Sequence, residues 1–257
     1  MSHQLTALVV LFTITMAKSY EECVYKKFDQ NHAGCQPRNT SCNILNNEVT
    51  NEDKILIVKL YNQYREKVAL GNETIPDSTL KAANMREMEW DDELAYLAQK
   101  HVETCQSKYD CHACKQIDRY DHVGQMIYVS STTDFPSEWE KMLNPYNLIP
   151  HHKFQLLSAE TWRVGCGKVV FEDSGIVKTM IICNYGPGAD VKGCTMEGCS
   201  TLPFKTGSSC TECPSGTCCG DSCQSFGIHS NFTGLCKWIP VSTLATNEGS
   251  GMNGRVD

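Results

Sequence analysis

The chain predicts an α/β protein, a three-layer α/β/α domain followed by a small disulfide-rich C-terminal extension. Three observations lead there. Between residues 50 and 143, apolar side chains recur at helical spacing in several segments. Two β-rich runs, 163–171 and 177–185, follow with a turn sequence between them. After Gly193 the aliphatic residues thin out, and eight of the sixteen cysteines crowd into residues 194–236.

Residues 1–19 read as a signal peptide. Leu5 to Ala17 is an apolar run too short to span a bilayer, and Ala17 and Ser19 are small residues of the kind a signal peptidase reads, which places cleavage after Ser19. The plain alternative is a buried core helix. No other run is apolar enough to cross a membrane, so the expectation is a secreted, extracellular protein with no transmembrane segment once the signal is removed. The net charge of −7 becomes −8 without Lys18. That balance argues against nucleic acid as a partner and against a polybasic membrane anchor. All sixteen cysteines lie beyond the signal, and on an oxidising route an even number reads as disulfides. Cys111/Cys114 and Cys210/Cys213 have CxxC spacing. In a reducing compartment this would point to zinc or redox chemistry, and here it points to structural bridges. Asn39, Asn72 and Asn231 begin N-x-S/T triplets and are candidate glycosylation sites on surface loops.

Residues 20–49 are polar and carry Cys23, Cys35 and Cys42, which suits an arm strapped to the main body by disulfides. The main domain is expected over 50–192. Thr50 and Asp53 have capping-box spacing, and Ile55, Ile57, Val58, Tyr61, Tyr64 and Val68 follow at roughly helical spacing in a helix that ends at Gly71. A second helix starts near Asp91 and carries Leu94, Leu97, Ala98 and Val102 to about Cys105. Residues 126–129 read as a short buried strand. Pro136 suits a first helical turn, with Trp139, Met142 and Leu143 on one face. Glu172 to Gly175 turns the last two runs into an antiparallel hairpin. Residues 193–238 form the cysteine-rich extension, and 239–257 a polar tail.

Several motifs occur in one order along this framework. They are Tyr61-Asn62-Gln63-Tyr64-Arg65, Met88-Glu89-Trp90-Asp91-Asp92-Glu93-Leu94, Val123-Gly124-Gln125-Met126-Ile127, His152-Lys153-Phe154-Gln155-Leu156-Leu157, Gly165-Cys166-Gly167 and Cys183-Asn184-Tyr185-Gly186-Pro187-Gly188. Cys210-Thr211-Glu212-Cys213-Pro214 follows like a hinge. Together they resemble the CAP superfamily of cysteine-rich secretory and antigen 5-like proteins, nearest the venom allergen 5 branch. The resemblance implies the CAP three-layer sandwich, export, and a setting in venom or saliva. It also supports a disulfide between Cys166 and Cys183, which facing positions on the hairpin allow.

Family members often carry two histidines and two glutamates in a central cleft, a set suited to a divalent metal. On this chain the positions map to Tyr109, Gln125, Met142 and His152, so only one of the four is retained. An alternative register puts His112 in place of Tyr109. A neutral amide is no general base, and a thioether suits neither zinc nor proton transfer. Glu140 is near Met142 in sequence, but one helical residue turns it about 100° away. No G-x-S-x-G elbow accompanies Ser158, which reads as a polar substitution at the rim. Trp90 and Trp162 read as core anchors. The expectation is a protein that is not an enzyme, takes no cofactor or metal, and acts by binding an extracellular protein target. Carriage of a lipid or sterol and modulation of an ion channel are the alternatives.

Overall fold

The computed structural model describes residues 23–73, 80–131, 133, 135–144, 148–195 and 198–241. The expected signal peptide and the tail beyond residue 241 lie outside the described residues.

Helix α1, Asn51–Ala69, starts on a complete capping box. Thr50 Oγ1 accepts from the Asp53 amide, and the Asp53 carboxylate accepts from the Thr50 amide. Asp53 has two further tasks, accepting from Lys168 Nζ at 3.1 Å and from Trp139 Nε1 at 3.3 Å. One cap therefore ties α1 to a strand and to a second helix. Strand β1, Asn43–Asn46, precedes α1, and β2, Glu89–Trp90, leads into α2, Asp92–Val102. Asp91 caps α2 by accepting from the amides of Glu93 and Leu94. The helix ends three residues before Cys105, where Thr104 Oγ1 donates back to the His101 carbonyl. Strand β3, Gly124–Ser130, helices α3, Phe135–Met142, and α4, Pro150–Leu157, and the hairpin strands β4, Arg163–Asp173, and β5, Ile176–Gly186, complete the domain.

The sheet runs β1-β4-β5-β3, with β2 added in parallel to the start of β4. Alternation along β5 sorts the two faces. Ile181, Cys183 and Tyr185 meet Ile57 and Tyr61 of α1, Trp139 and Met142 of α3, and Leu156 of α4. Met180 and Ile182 face Ala98 and Val102 of α2. Helices thus cover both faces of the sheet, the α/β/α arrangement the sequence predicts. Cys166 and Cys183 are Cα partners in the β4–β5 register and are joined, one of eight disulfides that use all sixteen cysteines.

Two segments are bound to the domain by more than disulfides: the arm has one bridge to it, and the four bridges of the extension all lie within the extension. The arm contributes β1, which pairs antiparallel with the outer end of β4, Ile44 opposite Phe171. The Cys42–Cys105 bridge then pins it to the end of α2. The extension holds strands β6, Thr217–Cys219, and β7, Cys236–Trp238. Its Phe204 and Leu235 are buried against Val68, Ala69, Met85 and Leu157 of the domain. Backbone bonds from Cys236 to Met85 and from Glu87 to Cys236 continue the join. A segment poor in aliphatic residues borrows its apolar partners from the larger unit.

Candidate functional site

The motif residues first do structural work. Asn62 donates to the Met88 carbonyl and accepts from the Met88 amide, at 2.9 and 2.7 Å. Arg65, fully buried on the same face of α1, donates to four carbonyls, those of Arg86, Leu156, Ser158 and Thr161. Ser158 is accordingly buried at the end of α4, where Arg65 holds its carbonyl, and it is not at the rim as the sequence reading expects. Gln155 takes the Ala189 amide on its carbonyl oxygen and donates to Thr161 Oγ1. A Cβ on Gly124 would stand 2.0 Å from that Gln155 oxygen, so the glycine is what lets β3 approach α4. These contacts bring the starts of β3 and α4 and the end of β5 to one place.

A cleft of about 300 Å³ opens there, lined by Tyr109, Lys115, His122, Gln125, His151 and Gln155 among others. His152 lies behind Tyr109, which is bonded through its hydroxyl to His152 Nε2 at 2.6 Å. The alternative residue, His112, stacks instead on His122 with ring centroids 5.0 Å apart. Burial pushes the His152 pKa down to about 4, with His151 adding to the effect, and burial raises the Tyr109 phenol. A protonated phenol and a neutral imidazole therefore share this bond at neutral pH. Gln125 is saturated: its carbonyl oxygen accepts from the Asp110 amide, and its nitrogen donates to Asp110 Oδ2 and Asn184 Oδ1. Asp110 in turn pairs with His101 at 2.7 Å. Met142 is apart from these three, packed in the helical core beside Trp139. Glu140 is exposed, as the helical turn requires.

Sequence reasoning passed over three participants. Lys115 and His122 line the cleft, and His101 anchors Asp110 from α2. It also passed over Glu138, a buried carboxylate outside the cleft lining that pairs with Lys141. Glu138 is one helical turn before Met142, an i, i+4 relation that could have found it. Burial lowers the His122 pKa, with His112 and Lys115 next in effect. Trp162 is no core anchor. It is partly exposed, stacked on Trp238 at 5.4 Å, with the guanidiniums of Arg86 and Arg163 over its ring at 4.6 and 4.1 Å. Trp90 is half-buried, packs against the helical core as expected of an anchor, and bonds to Asp92.

The buried imidazole gives a pH prediction. The folded-state pKa of about 4 for His152 lies below the ordinary value of 6.5, so the unfolded chain binds a proton more readily. Its contribution to stability is complete above pH 6.5 and is lost as the pH falls through 4. Urea unfolding across this window should show a midpoint that falls with pH, and a smaller fall in His152→Gln. An identical fall in both proteins would count against the assignment.

Residues 58–185 match the cysteine-rich secretory protein family, CAP. A venom allergen 5 of Polybia scutellaris rioplatensis is 34% identical over 191 residues, which cover 63% of this chain and 91% of that protein. This chain belongs to the CAP family. Venom allergen 5 of Tityus serrulatus is 33% identical over 253 residues, covering 89% of this CAP chain and 58% of the relative, so the chain spans under two thirds of that relative's length. Among solved structures, Na-ASP-1 superposes with a TM-score of 0.55 at 20% identity, over 78% of this chain and 52% of the other. NaASP2, solved with Zn2+, gives 0.50 at 20% identity over 64% and 90%. At such identity the likeness concerns the CAP fold alone.

The residues of this CAP chain do not fit a cleft zinc. Nε2 of His152 is taken by the Tyr109 hydroxyl, both ends of Gln125 are engaged, and Met142 is in the apolar core. Zinc wants about four imidazole, carboxylate or thiolate donors at ~2.0–2.3 Å. Among the described residues, the groups of three His, Cys, Asp or Glu that converge are Cys210/Cys213/Cys219 and Asp29/Cys111/Cys114. Their sulfurs are all in disulfides and offer no thiolate.

Proposed function

We propose that this chain is a secreted, non-catalytic CAP protein of venom or saliva that acts by binding a protein outside the cell. The observation that carries the reading is the Tyr109–His152 bond. The imidazole that a metal or a nucleophile would need is neutral, buried and committed to a phenol. A general base must be free to reach the proton it takes, and an oriented nucleophile must stand beside it. The similarity to venom allergen 5 proteins of Tityus serrulatus and Polybia scutellaris rioplatensis supports the setting.

Zinc titration by calorimetry, run beside a His152→Ala variant, tests the metal-free reading. No one-to-one site of micromolar affinity is expected, and no zinc-dependent hydrolysis of ester or peptide substrates. A micromolar site that disappears in His152→Ala would overturn it. Asn72 and Asn231 are exposed and suit glycans on this reading. Asn39 would have to surrender the bond from its side-chain nitrogen to the Thr104 carbonyl, at 3.2 Å. Glycopeptide mapping should find occupancy at Asn72 and Asn231 exceeding that at Asn39.

A further inference from the structure

We propose that the Cys111–Cys114 pair is a thiol–disulfide exchange site that reacts with an external thiol at Cys111. The Cys111-His112-Ala113-Cys114 segment differs from the other bridges in three ways. Its first sulfur belongs to an exposed residue and its second to one only 8% exposed, so an incoming thiol meets Cys111 first. The Cys114 amide donates to Cys111 Sγ at 3.0 Å, an interaction that strengthens when that sulfur carries negative charge. The Lys115 ammonium, itself 8% exposed, sits on the Cys111 and Asp110 carbonyls at 3.3 and 3.2 Å and brings positive charge beside the same residue. Burial lowers its pKa, and the Asp110 carboxylate works the other way and helps to keep it charged.

The bridge has little to do as a staple. It spans a sequence separation of 3, against 63 for Cys42–Cys105, and the entropy a crosslink removes from the unfolded chain grows with the loop it closes. The surrounding backbone is already held by the Asp110–Gln125 bond and by Lys115. A disulfide that is exposed, weakly stapling and flanked by groups that favour a thiolate belongs to the exchangeable class.

A thiolate R–S⁻ attacks Cys111 Sγ. The Cys111–Cys114 bond breaks with its electron pair going to Cys114, and a mixed disulfide forms at Cys111. Cys114 leaves as a thiolate and takes up a proton. Solvent supplies that proton, and the Asp29 carboxylate oxygen lies within 4.8 Å of both sulfurs. A second thiolate then attacks the R sulfur. Cys111 departs as the thiolate that the Cys114 amide accommodates, and it too can be protonated. Two external thiols are oxidised to one disulfide, and the pair takes up two electrons and two protons. Asp29 opposes negative charge on the sulfurs, whereas the Cys114 amide and Lys115 favour it. His112 is exposed and stacked on His122.

The test uses the full mature chain in graded glutathione buffers, with alkylation and peptide mapping of each pair. Two other short bridges are internal controls: Cys194–Cys199 and Cys218–Cys223, each with a separation of 5. Cys111 and Cys114 should become alkylated at a ratio of squared thiol to disulfide at least tenfold lower than either control. A difference below tenfold, or later opening, overturns the proposal. Trapping gives a second readout that does not depend on the controls. After mild reduction, Cys114→Ser should accumulate glutathione at Cys111 at least ten times faster than Cys111→Ser does at Cys114. Rates within tenfold of each other would show that the pair has no directed chemistry. A single-cysteine peptide in place of glutathione distinguishes a protein thiol from a small one, by whichever thiol exchanges faster at Cys111.

Discussion

Replacing Arg65 by leucine should cost the folded protein about 4 kcal/mol, the scale seen when one partner of a buried charged network is removed. The guanidinium is wholly buried, and burial pulls its pKa down, with no salt bridge to a carboxylate among the described residues. Its partners are the carbonyls of Arg86, Leu156, Ser158 and Thr161, which come from the lead-in to β2 and from the end of α4 and the loop beyond it. Leucine would fill part of the volume and leave four buried acceptors bare, each worth about 1–3 kcal/mol if water cannot reach it. Lysine should rescue only part of the loss, because a point charge on a flexible stem cannot serve the planar fork that meets these carbonyls. Urea unfolding with the disulfides intact reads the difference. A loss below about 1 kcal/mol would show that the carbonyls find other donors.

Gly165→Ala should be nearly as damaging. A methyl at this position would lie 2.1 Å from the Ala95 amide nitrogen and 2.4 Å from the Asp91 carbonyl oxygen. Both atoms belong to the backbone around the first turn of α2, so no side chain can rotate out of the way. Gly167 meets α2 in the same manner, with Gln99 N at 2.4 Å. Cys166 between them points to the opposite face, into its disulfide. Overpacking usually costs about 1–3 kcal/mol, and a clash with helix backbone places this substitution at or beyond the upper end. Gly175→Ala is the contrast. The hairpin turn there has φ +78 and open space around the glycine, so the cost is only that of a left-handed residue, about 1 kcal/mol. Thermal melts of the two variants should therefore differ widely. Similar melting temperatures would mean that α2 can shift away from β4 at little cost.

The two substitutions mark where sequence reasoning reached and where it stopped. Gly-Cys-Gly is visible as a motif, and its place on a β-rich run is readable from alternation. That a helix lies across both glycines is not readable, because α2 is separated from them by some seventy residues and nothing local records the approach. Arg65 is visible as part of a family pattern, but its role depends on carbonyls, which every residue carries and no sequence distinguishes. Trp162 misled for a related reason. Large aromatic residues are more often buried than not, and only the arrival of Trp238 and Arg86 makes this one a half-exposed stack.

The candidate site divides along the same line. The residues that occupy the cleft positions, Tyr109, Gln125 and His152, are legible from motif spacing. Their hydrogen-bond partners are not, and the chemistry follows the partners. Tyr109 and His152 are 43 residues apart, and their bond turns a potential base into a neutral, occupied imidazole.

By itself the sequence determined the helix starts at Thr50 and Asp91, the hairpin that sets Cys166 opposite Cys183, the α/β/α class and the family. Each of these rests on residues close together along the chain, or on side-chain patterns that repeat with the period of one element. Tertiary structure alone decided that the arm adds a strand to the sheet, that the extension shares the domain's core, and that the cleft imidazole is spent on a phenol. Those outcomes depend on which distant groups come within hydrogen-bond or packing distance, and only closure of the whole fold sets that.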